Sequence, residues 1–426
     1  MDKLSMSLFF GATSQAPLPP VPTWYAFLPS STAYSYIQCF GANDDYFTLL
    51  QNSSAASSEI IKINDDATSI QSYTISASNS SRWYGAFCSD ASGNLYFIGS
   101  SAIFDGTCHV TKYNSSMVKQ WERSIVRSGD QLAARHVAVD SSLNVYTVCV
   151  GSSGAYLTKF DSAGTQTFTR LLAGVGGDTF EGAIAVDSSG SIYFPYQDTS
   201  TGAQYLVSYN SAGTLAWQRQ ITSTYGGIIS GLSQAPGGGV YLSMIKYEAN
   251  GTTETPVLMS ISSTGSLNWT RWLADTVQTP SVTVKPGYYP YVSTDSLGNA
   301  YLCHSTVQFA GTVMKFDSAG TYAYTASLNG LELGPVVFSS TGNMVLQKPM
   351  NGFIAKVPSD GTAPSGNFGG NSFQPSVFRN PLTTNVCNVA TTTAFSSSTV
   401  TMTTNTTALT TMSGPTTIAP TLGYIR

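Results

Sequence analysis

The residues best able to do chemistry in this 426-residue chain are few. Four aspartates, Asp90, Asp140, Asp187 and Asp295, recur in one context, each opening a short polar turn such as Asp140-Ser-Ser-Leu-Asn144. Metal ligation is the chemistry they suggest, but an Asp heading a turn also accepts hydrogen bonds from backbone N–H groups two residues on. Regular recurrence spreads these carboxylates apart rather than converging them on one ion, so turn brackets are expected and no metal. Asp178, Glu181, Glu248 and Glu254 are the plausible donors on the irregular connections, where a lyase or glycan hydrolase would need a pair. Histidines are limited to His109, His136 and His304, and no H-E-x-x-H, G-x-S-x-G, Walker loop or dinucleotide fingerprint occurs. The six cysteines (39, 88, 108, 149, 303 and 387) form no C-x-x-C pair. Cys39, Cys88, Cys149 and Cys303 fall in predicted strands, where a reduced thiol serves as a small buried hydrophobe. These side chains point to a protein that is not an enzyme and carries no cofactor.

The elements that position them repeat. Polar turns at Asn64, Asn114, Asp161, Asn210, Ser262, Asp317 and Pro358 are separated by 41 to 55 residues. Self-similarity at such a period marks a repeat architecture, and an all-strand unit of that length reads as a propeller blade. Blade three shows the plan. Val137 to Asp140 and Val145 to Val150 flank the Asp turn; Ala155 to Phe160 and Gln166 to Leu172 flank Asp161-Ser-Ala-Gly-Thr165. The runs are rich in β-branched and aromatic residues and bounded by Asp, Ser, Gly and Asn, as strands are.

Fourth strands add a period-two signature: Trp121-x-Arg123-x-Ile125, Phe168-x-Arg170-x-Leu172, Trp217-x-Arg219-x-Ile221 and Trp269-x-Arg271-x-Leu273. Cation–π binding is one reading of these pairs. Packing is the expectation: the aromatic lies on the next blade and the Arg stem covers apolar surface. The seventh repeat, Val336 to Gly361, holds three strands, whereas Trp24-Tyr-Ala26-Phe-Leu28 fits the fourth-strand pattern before the first repeat begins. A seven-bladed all-β propeller closed by an N-terminal strand follows, since closure leaves only short edges exposed.

These turns and strands resemble the bacterial and phage seven-bladed propeller repeats called SBBP repeats, with the loose pattern D-S-x-G-N-x-Y followed by K-x-D-x-x-G-x-x-x-W. Residues 22–362 are covered, and Gln234-Ala-Pro-Gly-Gly-Gly239 replaces the Asp turn in the fifth unit. The resemblance implies the fold and no particular activity. A fainter likeness to the tryptophan-docking repeats of quinoprotein dehydrogenases lacks the central acidic cluster that those enzymes need.

Outside the propeller, residues 1–21 read as an N-terminal arm without a signal peptide's charged start. Residues 363–426 read as a Thr-rich assembly extension ordered by contact with the propeller or a neighbouring subunit. Sixteen threonines lie within 383–421, and no charged residue stands between Arg379 and Arg426. Charged residues make up 10% of the chain, far below the roughly 25% usual for soluble proteins. No Lys/Arg cluster offers a nucleic-acid footprint, and no apolar run is long enough for a membrane span.

Connections between second and third strands, and between blades, are long and irregular. They present Phe104, Tyr225, Tyr247, Tyr288, Tyr289 and Tyr291, and aromatics on varied loops over a rigid scaffold suit contact with saccharide or protein. Together these features lead us to expect a non-enzymatic virion structural protein of a tailed bacteriophage, in its tail, fibre or surface appendage. It would be held in a symmetric assembly by its arms and would contact a host-surface glycan or protein through the loop face. A secreted or cell-surface bacterial lectin-like adhesin is the alternative.

Overall fold

A computed structural model describes residues 24–27, 33–34, 38–52, 57–77, 83–100, 107–173, 183–198, 201–223, 225–247, 254–272, 289–305, 310–329, 333–348 and 353–360, together with short strands between 366 and 424. The chain forms seven antiparallel sheets of four meandering strands, a seven-bladed β-propeller. Blade two is representative: Trp83–Ser89 innermost, then Leu95–Ser100, Thr107–Tyr113 and Lys119–Val126 outermost. The Asp turn joins its first two strands and the Asn114 turn its last two, so both hairpins are set by local turn chemistry.

Each pair of neighbouring blades shares one hydrophobic cluster. Between blades three and four, Val148 and Leu157 meet Phe194 and Val207. Ring closure is made in the same way: Tyr46, Ile61 and Ile63 of blade one pack with Val345 and Ile354 of blade seven. Polar contacts reinforce this junction. Tyr46 Oη donates to Gln347 Oε1 at 3.1 Å, and Gln347 Nε2 donates to Thr48 Oγ1 at 3.0 Å.

Blade seven takes its fourth strand from the start of the chain. Trp24–Phe27 pairs antiparallel with Phe353–Pro358, in the register Trp24 with Lys356 and Ala26 with Ile354. The two ends of the propeller are thereby joined through backbone hydrogen bonds, as the sequence pattern predicts.

The C-terminal strands continue the sheets outwards. Asn371–Pro375 adds to blade six, Cys387–Thr391 to blade four, Ser397–Thr399 to blade three and Thr403–Thr406 to blade two. Thr410–Met412 and Thr416–Thr417 add to blade one, and Thr421–Tyr424 pairs with Trp24–Phe27 in blade seven. The segment thus runs around the rim against the order of the blades, supplying fifth strands as a belt. An outermost strand presents unpaired N–H and C=O groups, and an uncharged β-branched segment is suited to cover them. Among the described residues, blade five has no fifth strand.

Candidate functional site

The repeated aspartates are absorbed by the fold. In each of the four turns one carboxylate oxygen accepts backbone N–H groups two and four residues on, as Asp140 Oδ1 does from Ser142 and Asn144 at 2.9 and 2.8 Å. The second oxygen accepts the hydroxyl of the tyrosine six residues on: Tyr96, Tyr146, Tyr193 or Tyr301. For Asp187 these bonds outweigh the cost of burial and hold its carboxyl below the usual range. These bonds explain the four carboxylates as turn brackets, and the described residues contain no cluster of three His, Cys, Asp or Glu that could hold a metal ion.

The Trp-x-Arg strands are clamps between blades. Trp121 Nε1 donates to the carbonyl of Ser162 at 3.1 Å, and Arg123 Nε donates to that of Gly164 at 2.7 Å, both in the next blade's outer turn. Trp217 and Arg219 hold Ser263 and Gly265 in the same way, at 2.8 and 2.9 Å. Each Arg also lies over its own aromatic ring, 5.7 Å from the centroid for Arg123 and 5.1 Å for Arg219. The turn glycines leave room for the ring: Gly164 has φ +78°, and a Cβ there would stand 2.8 Å from Trp121 Cδ2. The Arg therefore does more than cover apolar surface. It fastens one blade to the backbone of the next.

Buried groups that resemble a catalytic set do not form one. Ser124 Oγ lies 3.3 Å from His109 Nδ1, and Glu122 Oε1 lies 3.8 Å from the same nitrogen. A nucleophile–base–carboxylate relay needs the two partners on opposite ring nitrogens. Burial keeps the thiols of Cys39 and Cys303 protonated, pushing each up to about 12.

Inner strands from the blades converge on a central channel of about 790 Å³. Its lining is mostly short: Ala86, Ser89, Ser230, Ser233, Ser293 and Thr294, with His136 on one wall. Gly85 is needed there because a Cβ would stand 2.6 Å from the carbonyl oxygen of Ala134. Among the described residues, no carboxylate or ammonium group contributes to this lining.

The predicted contact aromatics separate into three groups. Phe104 and Tyr288 lie outside the described residues. Tyr291 is not a loop residue: it opens the inner strand Tyr291–Thr294 of blade six, opposite Cys303, and packs on the core between blades six and seven. Tyr289, half-buried, lies two residues before it, separated by Pro290. Tyr225 and Tyr247 come together on blade five. Tyr225 is 53% exposed and sits in the connection from blade four, and Tyr247 N–H donates to the adjacent Gly226 carbonyl at 3.1 Å.

Directly opposite Tyr247 in the sheet stands Glu254. Its Oε2 is screened from water and has no hydrogen-bond partner, and burial raises its carboxyl above the ordinary range. The sequence marked Glu254 only as one of four acids on irregular connections. Its pairing with Tyr247 comes from the hairpin register. Asp178, Glu181 and Glu248 lie outside the described residues.

No family model matches the chain, and no curated protein matches it. Among solved structures, a streptogramin B lyase is similar with a TM-score of 0.54 at 10% identity, over 78% of this chain and 97% of that one. The hydrazine synthase of Kuenenia stuttgartiensis is similar with a TM-score of 0.56 at 12% identity, over 83% of this chain and 99% of that one. At such identities the likeness establishes the propeller fold and leaves activity to the residues grafted on it.

Proposed function

We propose that this chain is a non-enzymatic structural component of a tailed bacteriophage particle, in its tail, fibre or surface appendage, with a loop face that contacts the host surface. The observation that carries the reading is the rim belt. Among the described residues, six of the seven blades have their outer edges covered by the chain's own C-terminal strands, which suits a rigid module exposed in a larger assembly. Low charge and the repeat resemblance support the same reading. Adhesion is supported by the exposed Tyr225 beside Tyr247 on blade five, rigid aromatics that lose little entropy on binding.

Mass spectrometry of purified particles tests the first part; absence of the chain from particles that are otherwise complete overturns it. Adhesion is tested by asking whether the soluble protein competes with particles for adsorption to host cells. The secreted or cell-surface lectin-like adhesin remains the second reading, favoured by the same tyrosine pair. It requires the chain to be recovered from the medium or envelope of a bacterium that carries no particle genes.

A further inference from the structure

We infer that the ring is built to open at one place, the seam between blades seven and one, while blades two to six stay joined. The arginine clamps lie on one side of the ring. They fasten four consecutive junctions: Arg123 on Gly164, Arg170 on Gly213, Arg219 on Gly265 and Arg271 on Gly320. There the run stops. Blade six has Ala326 at the Arg position, and Tyr324 Oη and Lys315 Nζ donate to the Ser359 carbonyl at 2.9 and 3.2 Å instead. Blade seven has Ala26 at the Arg position, and the fourth strand of blade one, Ile70–Ala77, contains no Arg.

Of the three junctions without an Arg clamp, the seam has the smallest apolar cluster. Among the described residues it holds seven buried side chains, against ten at each of the other two and fourteen between blades three and four. Separating blades seven and one therefore exposes the least apolar surface, which is the main resistance to parting packed sheets. Two carboxylates do much of the tying. Asp44 accepts the Ser340 N–H at 2.6 Å and the Ser340 hydroxyl at 2.8 Å, and Lys356 Nζ is ion-paired with Asp65. The Lys356 side chain is 1% exposed in the closed ring and that of Asp65 37%. On opening, the ammonium regains its water, and this hydration offsets much of the lost attraction to Asp65. Opening also frees the ends of the propeller, because Trp24–Phe27 lies between Phe353–Pro358 and Thr421–Tyr424 in blade seven.

The test is pulse alkylation of the full-length protein with iodoacetamide, read peptide by peptide by mass spectrometry. A thiol placed at the seam by Ile354→Cys is compared with one placed between blades three and four by Val207→Cys, and with the native Cys149 between blades two and three. All three positions are fully buried. The seam thiol should react at least about tenfold faster than the other two. Asp65→Asn leaves the Lys356 charge without its carboxylate in the closed ring, so it should speed the seam thiol about tenfold or more and leave the other two within about twofold. Adding Lys356→Met removes that charge and should reverse the acceleration. Equal labelling of the three thiols overturns the seam, as does an Asp65→Asn effect that is the same at all three, which marks global unfolding. Acceleration that survives Lys356→Met overturns the ion pair as what holds the seam shut. Hydrogen exchange of the wild-type protein gives a reading that needs no variant. Amides of Trp24–Phe27 should exchange at least about tenfold faster than those of Gly154–Phe160, a strand also paired on both sides, and equal protection overturns the inference.

Discussion

Trp121 offers the sharpest measure of how one blade is fastened to the next. Its side chain is 9% exposed and lies between Tyr96 and Phe160, each with its ring centroid 6.3 Å away. Truncating a buried tryptophan to alanine costs about 3–5 kcal/mol, so Trp121→Ala should lose that much. Trp121→Phe should lose less, about 1–2 kcal/mol, because it keeps one aromatic ring and gives up the second ring's contacts and one hydrogen bond to Ser162. Blade three already uses Phe168 at this place, above Gly213 of the next blade. Gly164→Ala is penalised twice: about 1–2 kcal/mol for a side chain in the left-handed region, and about 1–3 kcal/mol for forcing its Cβ against the indole. In the Trp121→Ala background the steric part vanishes and the backbone part stays. The double mutant should therefore be more stable than additivity predicts, by about 1–3 kcal/mol. Urea unfolding followed by circular dichroism measures all four proteins. A loss below about 1 kcal/mol for Trp121→Ala, or strict additivity in the cycle, would refute the clamp.

Three further outcomes are expected. Leu143 occupies the left-handed turn position, φ +63°, that Gly93, Gly190 and Gly298 fill in other blades, so Leu143→Gly should stabilise the protein by about 1 kcal/mol in the same assay. His304 is buried and its pKa falls from 6.5 to about 4. The unfolded chain then takes up a proton that the folded one refuses, so the stability contributed above pH 6.5 is lost on acidification, by about 3 kcal/mol at pH 4. His304→Leu should show that much less acid sensitivity between these limits in thermal melts, and an unchanged pH profile would count against the assignment. Finally, Ala26 sits in a strand paired on both sides, with Ile354 and with Leu422. Ala26→Pro should cost about 3 kcal/mol and open blade seven to proteolysis, whereas wild-type protease resistance would mean that the closing strand is dispensable.

Much of this architecture is legible before folding because it is written in local chemistry. An Asp that brackets its own turn and a glycine that closes a hairpin act within a few residues, and an aromatic that alternates with Arg is a short pattern even though its contacts lie in the next blade. Their repetition spells out seven blades, and the spare pattern around Trp24 supplies the missing strand. Some local rules were nevertheless broken without notice: Ala67, Met117 and Leu143 take left-handed turn positions although none is a glycine. Tyr291 ends a long connection and opens a strand, a boundary that composition leaves open by a residue or two.

What the amino-acid order determined, then, is the repeat, the handover of the last strand and the clamp residues, since each leaves a periodic pattern in the sequence even though the clamp bonds and the closing strand reach residues far away in the chain. The path of the Thr-rich end around the rim and the meeting of Tyr225, Tyr247 and Glu254 were decided only by tertiary structure. The first is built from backbone hydrogen bonds, which carry no side-chain signature and which threonine repeats satisfy equally well in many registers. The second depends on how one hairpin's register falls beside the connection from the preceding blade, a spatial relation with no periodic trace in the sequence.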